Sequence, residues 1–387
     1  MTVVRAEPLE ILRRRTSAKW RLFPDDVLPL FVAETDYPIA PAIAERLVER
    51  VRASDTGYAF GPGPLAEAFA GFAERRWGWR VDPEQVRSAT DVSVAITEVL
   101  RVLLAPASRV VITPPVYAPF FELIPEAGHE VLEVALLEES GAYRLDLAGI
   151  ERAFRAGAAA ILLCNPHNPL GLAHSASQLA ELAALAEEHG ALVVSDEIHG
   201  PLARTERGFT PFLAVSEAAA RVGVCLTSAS KGWNLAGLKC ALIVTADARL
   251  RSALGALPEE VAWRTGLLGL HASVAAFEEA EDWLDGVLAA IDESAELLGT
   301  LLARLLPAAR YRRPSAGYLA WIDLREAGLG DDPAAVILER ARVALSPGVD
   351  FGREGRGFVR LNLACSPEVL EEAVTRVAGI GPGRART

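Results

Sequence analysis

The sequence has no apolar run that approaches the roughly 20 residues of a membrane-spanning helix. Its first stretch, MTVVRAEPLEILRRRTSAKW, contains neither the apolar core nor the small-residue cleavage site of a secretory signal. No C-x-x-C pair is present, and no group of His or Cys has the spacing of metal ligands. The four cysteines stand singly in apolar segments: Cys164, Cys225, Cys240 and Cys365. We therefore expect a cytoplasmic protein with reduced cysteines and no metal centre.

An excess of basic residues is also missing. The chain carries 39 Lys and Arg against 51 Asp and Glu, which gives a formal net charge of −12. Nucleic acids and anionic membrane surfaces bind positive patches, and the three arginines at 13–15 are more typical of a solvated helix face. We therefore expect neither a nucleic-acid partner nor a membrane partner.

What is present is enough apolar chain for a large core. The 387 residues are 51% hydrophobic and 23% charged, which is typical of soluble proteins with one large domain and a satellite, or with two domains. Short apolar runs alternate with helical patterns in the middle of the chain. One such helix is SASQLAELAALAEEHG (175–190), which Ser175 would cap and Gly190 would end. Strands are predicted within 108–120, 158–171, 191–200, 223–231 and 238–246.

Continuous apolar strands separated by helices are typical of a mainly parallel sheet that helices cover on both faces. From about residue 280 the pattern changes to a long amphipathic helix over 280–306, followed by strand-like segments at 316–324 and 357–365 and a last helix. This order predicts a smaller α+β domain. The final GPGRART is predicted to be a disordered tail.

Polar residues follow directly after several predicted strands. Asn168, Asp196, His199 and Lys231 are far apart in sequence, but each comes at the end of an apolar run. In open α/β sheets, ligands bind at the carboxyl ends of the strands. We therefore expect these four side chains to converge on one site.

Each of these residues has an ordinary structural interpretation beside the functional one. Lys231 could be a solvated loop lysine, or a Schiff-base lysine with a lowered pKa. Asp196 could form a salt bridge or cap a helix, or it could pair with a protonated ring nitrogen. Asn168 and His199 could serve a turn and the core, or could face a ligand hydroxyl.

Further candidates lie in other segments. Tyr117, in PPVYAPF, could belong to the core or stack on an aromatic ligand. Arg360 is a charge inside an apolar strand, and a substrate carboxylate would match its guanidinium in two hydrogen bonds. Together with Lys239, two serines in the loop before Lys231 make a plausible phosphate cradle, namely Ser228 and Ser230.

Taken together and in this order, the motifs resemble fold-type I pyridoxal-phosphate enzymes of the class I/II aminotransferase family. The resemblance covers nearly the whole chain. It is carried by TGYAFGPGP (56–64), PPVYAPF (114–120), NPHNPLG (165–171), SDEIH (195–199), SASKGWNLAGLK (228–239) and VRLNLAC (359–365). Within the family the sequence is most similar to the cystathionine β-lyase-like C–S lyases of the MalY/PatB branch. That closer likeness is carried by TSAKW (16–20), VAETDYPIAPAI (32–43), DEIHG, SKGWNLAGLK and GYLAWIDL (317–324).

The resemblance implies an α/β fold in which a large pyridoxal-phosphate-binding domain, residues 45–280, holds a mainly parallel seven-stranded sheet between helices. Residues 1–44 and 281–387 would form a small α+β domain. It also implies a homodimer with shared active sites, in which Tyr58 reaches the phosphate and substrate of the neighbouring subunit.

The resemblance further implies a role for each candidate residue. Lys231 would hold the cofactor covalently and act as the base, and Asp196 would pair with the ring nitrogen. The other cofactor contacts would be Asn168 and His199 at the ring hydroxyl, Tyr117 stacked on the ring, and Ser228, Ser230 and Lys239 at the phosphate with the backbone of Val92 and Ser93. Arg360 would bind the carboxylate of an amino-acid substrate, together with Asn168.

Two stretches depart from the family pattern. AETDYP (33–38) stands where the family has an Asp-Met-Asp-Phe-type stretch, and the second departure, at the phosphate loop, matters more. ATDVSVA (89–95) stands where the family has a Pro-Gly-Val-Val-Pro-type phosphate loop. The carboxylate of Asp91 would repel a phosphate, so we expect this side chain to point away. The backbone N–H groups near Val92 and Ser93 can still serve at a helix N-terminus.

The expected activity is a C–S β-lyase that cleaves cystathionine or another S-substituted cysteine to pyruvate, ammonia and a thiol. An aminotransferase with a keto-acid acceptor needs the same residues and stays open as an alternative. A third possibility, a dimer whose main role is to bind a regulator protein, is neither supported nor excluded by the sequence.

Overall fold

The computed structural model describes residues 3–204 and 208–380. At its centre lies a seven-stranded sheet. Five neighbouring strands are parallel, and one strand, Ala241–Val244, runs antiparallel to both of its neighbours. The order across the sheet is Val86–Ala89, Ala241–Val244, Gly223–Thr227, Leu192–Asp196, Ala158–Cys164, Arg109–Ile112 and Glu130–Glu133. The predicted mainly parallel sheet is confirmed.

Helices cover both faces of this sheet because its strands are apolar on both sides. Along Ala158–Cys164, Leu162 packs into the core on one face, whereas Ile161 and Leu163 pack into the core on the other. The helices of this unit are Pro41–Arg52, Pro64–Trp77, Val92–Leu103, Phe120–Glu126, Leu147–Arg155, Ala176–Glu188, Glu217–Val222, Ala248–Ala253, Glu259–Trp263 and Leu267–Glu279. A two-stranded hairpin, Leu137–Glu139 with Ala142–Arg144, lies outside the sheet.

The helix predicted over 175–190 shows how closely local signals set these boundaries. It spans Ala176–Glu188, and the hydroxyl of Ser175 accepts a hydrogen bond from the N–H of Gln178 at 3.3 Å. Gly190 follows the helix with φ at 65°, a left-handed conformation that favours glycine. Both end signals of the sequence are therefore used as predicted.

The C-terminal part forms a second unit around an antiparallel sheet of four strands. Their order is Arg310–Tyr311, Leu319–Asp323, Phe358–Asn362 and Ser346–Pro347. The long helix Glu281–Leu305 agrees with the prediction for 280–306, and the remaining helices of this part are Pro333–Ala341 and Pro367–Ala378. The predicted tail, GPGRART, lies outside the described residues.

The N-terminal segment is hydrogen-bonded to this second unit. Its short strand Leu28–Pro29 pairs in parallel with Val343–Ala344, and two short helices, Leu9–Leu12 and Ala18–Arg21, precede it. This pairing links the two terminal parts of the chain, while the division into domains with boundaries at residues 44 and 280 stays a prediction.

The described ranges contain no helix that is both long enough and apolar enough to cross a bilayer. In the same ranges, no three His, Cys, Asp or Glu side chains are grouped as metal ligands would be. All four cysteines are free and buried.

Candidate active site

A cavity of about 130 Å³ lies at the carboxyl ends of the central parallel strands. The strands Ala158–Cys164 and Leu192–Asp196 both end in it, and their register pairs Cys164 with Asp196. Among the described residues, the cavity is lined by Val32, Ala33, Val92, Ser93, Tyr117, Cys164, Asn168, Asp196, Ile198, His199, Lys231 and Arg360. The structure thus brings together the four polar side chains that were expected to converge.

Lys231 reaches this cavity from the turn after the strand Gly223–Thr227. Its Nζ donates a hydrogen bond to the carbonyl oxygen of Ala33 at 3.0 Å. Burial lowers the pKa of Lys231 to about 8, and the nearby charge of Arg360 acts in the same direction. A solvated loop lysine would not show this environment. The amine is neutral in a substantial fraction of molecules near physiological pH, as a nucleophile or base requires.

Asp196 is a buried carboxyl group without a cationic partner. Its Oδ1 accepts a hydrogen bond from the N–H of Ile198 at 3.1 Å, and no Lys or Arg of the described ranges lies within ion-pair distance. Burial raises the pKa of Asp196 to about 7, which the hydrogen bond from Ile198 only partly offsets. The salt-bridge interpretation is therefore wrong. A cationic N–H group placed against this carboxylate would remove the cost of burying its charge.

His199 and Asn168 lie on the same cavity. Burial lowers the pKa of His199 to about 3, with a smaller effect from the charge of Lys231, so the imidazole is neutral. Its Nδ1 has no hydrogen-bond partner in the described part of the chain, although the atom is buried. Asn168 accepts a hydrogen bond from Arg360 through Oδ1 at 3.0 Å. Because both side chains line the cavity, each can contact a ligand hydroxyl there.

Arg360 enters the cavity from the strand Phe358–Asn362 of the second unit. Its guanidinium donates to the carbonyl of Phe31 at 2.8 Å, to Ser346 Oγ at 2.9 Å and to Asn168 Oδ1 at 3.0 Å. All three are neutral acceptors, and within residues 3–204 and 208–380 no carboxylate forms an ion pair with it. Burial lowers the pKa of Arg360 to about 10, so the side chain stays charged at neutral pH. A buried cation surrounded by neutral acceptors can still receive an anion.

Tyr117 lines the same cavity. Its ring meets that of Phe120 edge to face, with 5.6 Å between the centroids. Burial raises the pKa of Tyr117 to about 12, so the phenol is neutral. The residue is thus attached to the core and borders the cavity, as the ligand-stacking interpretation requires.

The protein groups that were expected to bind the phosphate are only partly arranged as predicted. Val92 and Ser93 line the cavity at the start of the helix Val92–Leu103, where the first N–H groups have no intrahelical acceptor. The hydroxyl of Ser228, however, donates to the carbonyl of Cys240 at 2.6 Å and accepts from the N–H of Ser230 at 3.0 Å. Ser228 therefore shapes its own turn in this structure.

The expectation that Asp91 points away from the phosphate-binding groups is wrong. Its Oδ2 lies 2.9 Å from Nζ of Lys239, and its Oδ1 accepts a hydrogen bond from the N–H of Val94 at 2.9 Å. The physical reason is that an ammonium group and the first N–H groups of a helix both attract a carboxylate.

Tyr58 does not border the cavity of its own chain. Its side chain is 81% exposed and its ring meets Trp263 edge to face at 5.9 Å. Phe60, in the same loop, is 88% exposed. These aromatic side chains are available to something outside the chain.

The segment Phe31–Glu34, which we name the N-terminal strap, was not among the candidate site residues. Its four consecutive carbonyls all accept hydrogen bonds from side chains, two of which, Lys231 and Arg360, line the cavity. The donors are Arg360 and Ser346 to Phe31, Asn362 to Val32 and Glu34, Lys231 and Tyr318 to Ala33, and Lys19 to Glu34. Tyr318 and Asn362 stand in motifs that carried the family resemblance, and that was the available signal for these two residues.

Known proteins resemble this chain over almost its full length. The family model described as "Aminotransferase class I and II" matches residues 25–377. A Mycobacterium tuberculosis protein provisionally named cystathionine beta-lyase is 42% identical, over 96% of each chain. The cystathionine beta-lyase of Corynebacterium glutamicum is 34% identical, over 97% of this chain and all of its own. The crystal structure of a protein from Corynebacterium diphtheriae, provisionally described as a PLP-dependent beta-cystathionase, has a TM-score of 0.91 at 35% identity and covers 97% of this chain and 98% of its own.

Proposed function

The chain belongs to the class I and II aminotransferase family, and on this premise we propose that it is a pyridoxal-phosphate-dependent C–S β-lyase. Its substrate is cystathionine or a related S-substituted cysteine, and its products are pyruvate, ammonia and a thiol. One observation carries the proposal: the half-buried Lys231 and the buried Asp196 and Arg360 meet at one cavity, each without an oppositely charged partner within ion-pair distance among the described residues.

The residues present fit pyridoxal phosphate group by group. The uncompensated carboxyl of Asp196 matches a protonated ring nitrogen, and the imidazole of His199, which lines the same cavity, matches the ring hydroxyl. Lys231, with its lowered pKa, would bind the aldehyde carbon covalently. The first N–H groups of the helix Val92–Leu103 and the ammonium of Lys239 would hold the phosphate. Asn168, Tyr117, Ser228 and Ser230 complete the proposed contacts.

When bound, pyridoxal phosphate supplies an electron sink for negative charge that develops at Cα of the amino acid. The protein provides the proton transfers and the orientation. The neutral amine of Lys231 can accept the α-proton, since its pKa of about 8 is close to the working pH. Asp196 favours a charged ring nitrogen because its own carboxylate is otherwise buried without compensation.

Arg360 orients the substrate through its carboxylate. The guanidinium is fixed by Asn168 and Ser346, while its Nε has no hydrogen-bond partner in the described ranges. A substrate carboxylate that binds here gives the guanidinium a charged acceptor in place of a neutral one such as the carbonyl of Phe31. Once its carboxylate is held, the covalent shape of the amino acid sets where Cβ and its sulfur substituent lie.

The enzyme acts, in this proposal, as a cytoplasmic homodimer with shared active sites. Three large aromatic side chains near one loop are exposed: Tyr58 by 81%, Phe60 by 88% and Trp263 by 42%. Such a group of exposed aromatic residues marks an interaction surface, and a second copy of the chain would cover it. Tyr58 would then reach the phosphate and substrate of the neighbour. The four free, buried cysteines are compatible with the reducing cytoplasm.

The test separates elimination from transamination. Purified protein loaded with pyridoxal phosphate is incubated with L-cystathionine in the absence of a keto acid, and pyruvate, ammonia and free thiol are measured. We expect the three in equal amounts, and none from L-alanine, which has no leaving group at Cβ. The variant Lys231→Ala is the protein control. Turnover that depends strictly on an added keto acid, with no thiol from any cysteine S-conjugate, would show an aminotransferase instead.

A further inference from the structure

Asp91 lies among the groups that the proposed function assigns to the cofactor phosphate. One carboxylate oxygen is 2.9 Å from Nζ of Lys239 and the other is 2.9 Å from the N–H of Val94. Both contacts are of the kind that a phosphate makes with proteins: one with an ammonium group and one with the first turn of a helix. In the structure, the chain's own carboxylate makes them.

We propose that Asp91 is an internal counter-anion, which neutralises Lys239 and the helix N-terminus in the cofactor-free protein and opposes the binding of a phosphate there. The inference rests on the proposed function only in taking this helix end and Lys239 as the phosphate site. It concerns how tightly the protein holds the phosphate of its cofactor, and not which reaction follows.

The backbone fixes both partners of the contact. Asp91 is the N-cap of a helix of 12 residues, in extended conformation with φ at −156° and ψ at 172°. Lys239 has φ at 58°, and its carbonyl accepts a hydrogen bond from the N–H of Gly266 at 2.8 Å. The two side chains therefore meet from anchored positions, and they are 32% and 54% exposed.

The carboxylate of Asp91 and a bound phosphate would compete for only some of the phosphate-binding groups. Val92 and Ser93 also line the cavity, and their N–H groups precede the first position that can have an intrahelical acceptor. Asp91 uses the N–H of Val94 and leaves these two N–H groups to a phosphate. Lys239, in contrast, has to be shared or released. The phosphate dianion then lies near a fixed negative charge, which weakens its binding.

The same contact stabilises the protein without cofactor. A carboxylate at a helix N-terminus that also pairs with an ammonium group is favourable, and this gain is reduced when a phosphate takes over the ammonium. The alternative role is the opposite one: Asp91 could hold Lys239 in place for the phosphate. The two roles predict opposite changes in phosphate affinity when the charge of Asp91 is removed.

That measurement uses Asp91→Asn, because asparagine caps helices about as well as aspartate but carries no charge. Dissociation constants of cofactor-free wild type and variant are determined by titration calorimetry for pyridoxal phosphate, for inorganic phosphate and for pyridoxal. We expect the variant to bind both phosphate ligands about tenfold more tightly, since a partly exposed like charge has a modest, screened effect. Pyridoxal, which lacks the phosphate, should bind equally to both proteins. The denaturation midpoint of the cofactor-free variant should be lower at low salt.

The matched control is Asp247→Asn. Asp247 caps the helix Ala248–Ala253 through the N–H groups of Arg249 and Leu250 at 2.9 and 3.1 Å, and it does not border the cavity. Its replacement should leave all three dissociation constants unchanged. A second charge-removing variant, Asp91→Ser, should reproduce the tighter binding if the asparagine variant folds poorly.

Weaker binding of both phosphate ligands by the folded Asp91 variants would show that Asp91 positions Lys239, and unchanged binding would show that it has no electrostatic role; either result overturns the proposal. The inorganic phosphate titration keeps this test separate from the proposed function. If wild type fails to form a coloured complex with pyridoxal phosphate, the proposed function fails, while the effect of Asp91 on phosphate is still measured.

Discussion

Replacing Asp196 by asparagine should stabilise the cofactor-free protein and inactivate the loaded enzyme. The carboxyl is fully buried, accepts one N–H from Ile198 and has no cationic partner among the described residues. Asparagine has the same size and can keep the hydrogen bond through its own Oδ1. The substitution therefore removes the charge and little else.

The magnitude follows from the pKa. Burial raises the pKa of Asp196 from 3.8 to about 7, which is a shift of roughly three units, and each unit corresponds to about 1.4 kcal/mol. The folded protein holds this proton more tightly than the unfolded chain does. Its free energy of unfolding therefore falls as the pH rises from about 4 to about 7, by about 4 kcal/mol in total. Below pH 4 the group is protonated in both states and carries no cost.

Urea unfolding of the cofactor-free proteins, followed by tryptophan fluorescence, measures this difference. Between pH 5 and pH 7 the stability advantage of Asp196→Asn over wild type should widen by about 2–3 kcal/mol. The neighbouring Glu197, whose pKa burial also raises to about 7, is present in both proteins and cancels in the comparison. Loaded wild type is the control, because a protonated ring nitrogen beside the carboxylate should hold its pKa low and flatten the pH dependence.

The activity of the loaded variant is the second readout. We expect kcat to fall by more than about tenfold, because a neutral amide cannot keep the ring nitrogen charged in the transition state, with a smaller change in cofactor affinity. An advantage that stays constant from pH 5 to pH 7 would show that Asp196 carries no burial cost. A kcat within tenfold of wild type would remove Asp196 from the role of ring-nitrogen partner.

Three further predictions concern Lys231, Arg360 and Tyr58. Lys231→Ala should abolish the visible absorption band of the loaded enzyme unless an external amine is added; a wild type that stays colourless with pyridoxal phosphate would contradict this. Arg360→Lys should lower kcat/KM for amino-acid substrates about 10- to 100-fold, because it loses a bidentate charged contact, while cofactor absorbance should be unchanged; an unaltered kcat/KM would exclude carboxylate binding by Arg360. Mixing inactive Lys231→Ala with an impaired Tyr58→Phe protein should restore activity, since one site of the mixed dimer has both native groups. No recovery despite verified subunit exchange would place Tyr58 in its own chain's site.

The convergence of Asp196 and Lys231 could be predicted because it depends on one general property of parallel sheets. The carboxyl ends of neighbouring strands share an edge, so polar residues that follow those strands meet there. The direction of the strand Ala241–Val244 was not specified in the same way. An apolar run indicates a buried strand, but it does not indicate the direction in which the chain enters the sheet.

Ser228 and Asp91 show that residue type alone does not specify which contact a side chain makes in the absence of a ligand. A hydroxyl or carboxylate can bind a ligand, but it can equally bind a backbone N–H two or three residues further on. Ser228 accepts from the N–H of Ser230, and Asp91 accepts from the N–H of Val94. Such local hydrogen bonds need no distant partner, so they form in the absence of a ligand and compete with it.

The role of the N-terminal strap could not be predicted from residue types for a different reason. The strap contributes backbone carbonyls, which every residue possesses. What the sequence does encode is the anchor of the strap. Lys19, from TSAKW, and Asp36, from VAETDYPIAPAI, form an ion pair of 2.7 Å between fully buried side chains, and Lys19 also donates to the carbonyl of Glu34. A buried pair of this kind adds little net stability but is costly to break, so it favours one arrangement of the chain over others. The two motifs therefore act on the site indirectly, by fixing the carbonyl of Ala33 that holds the amine of Lys231.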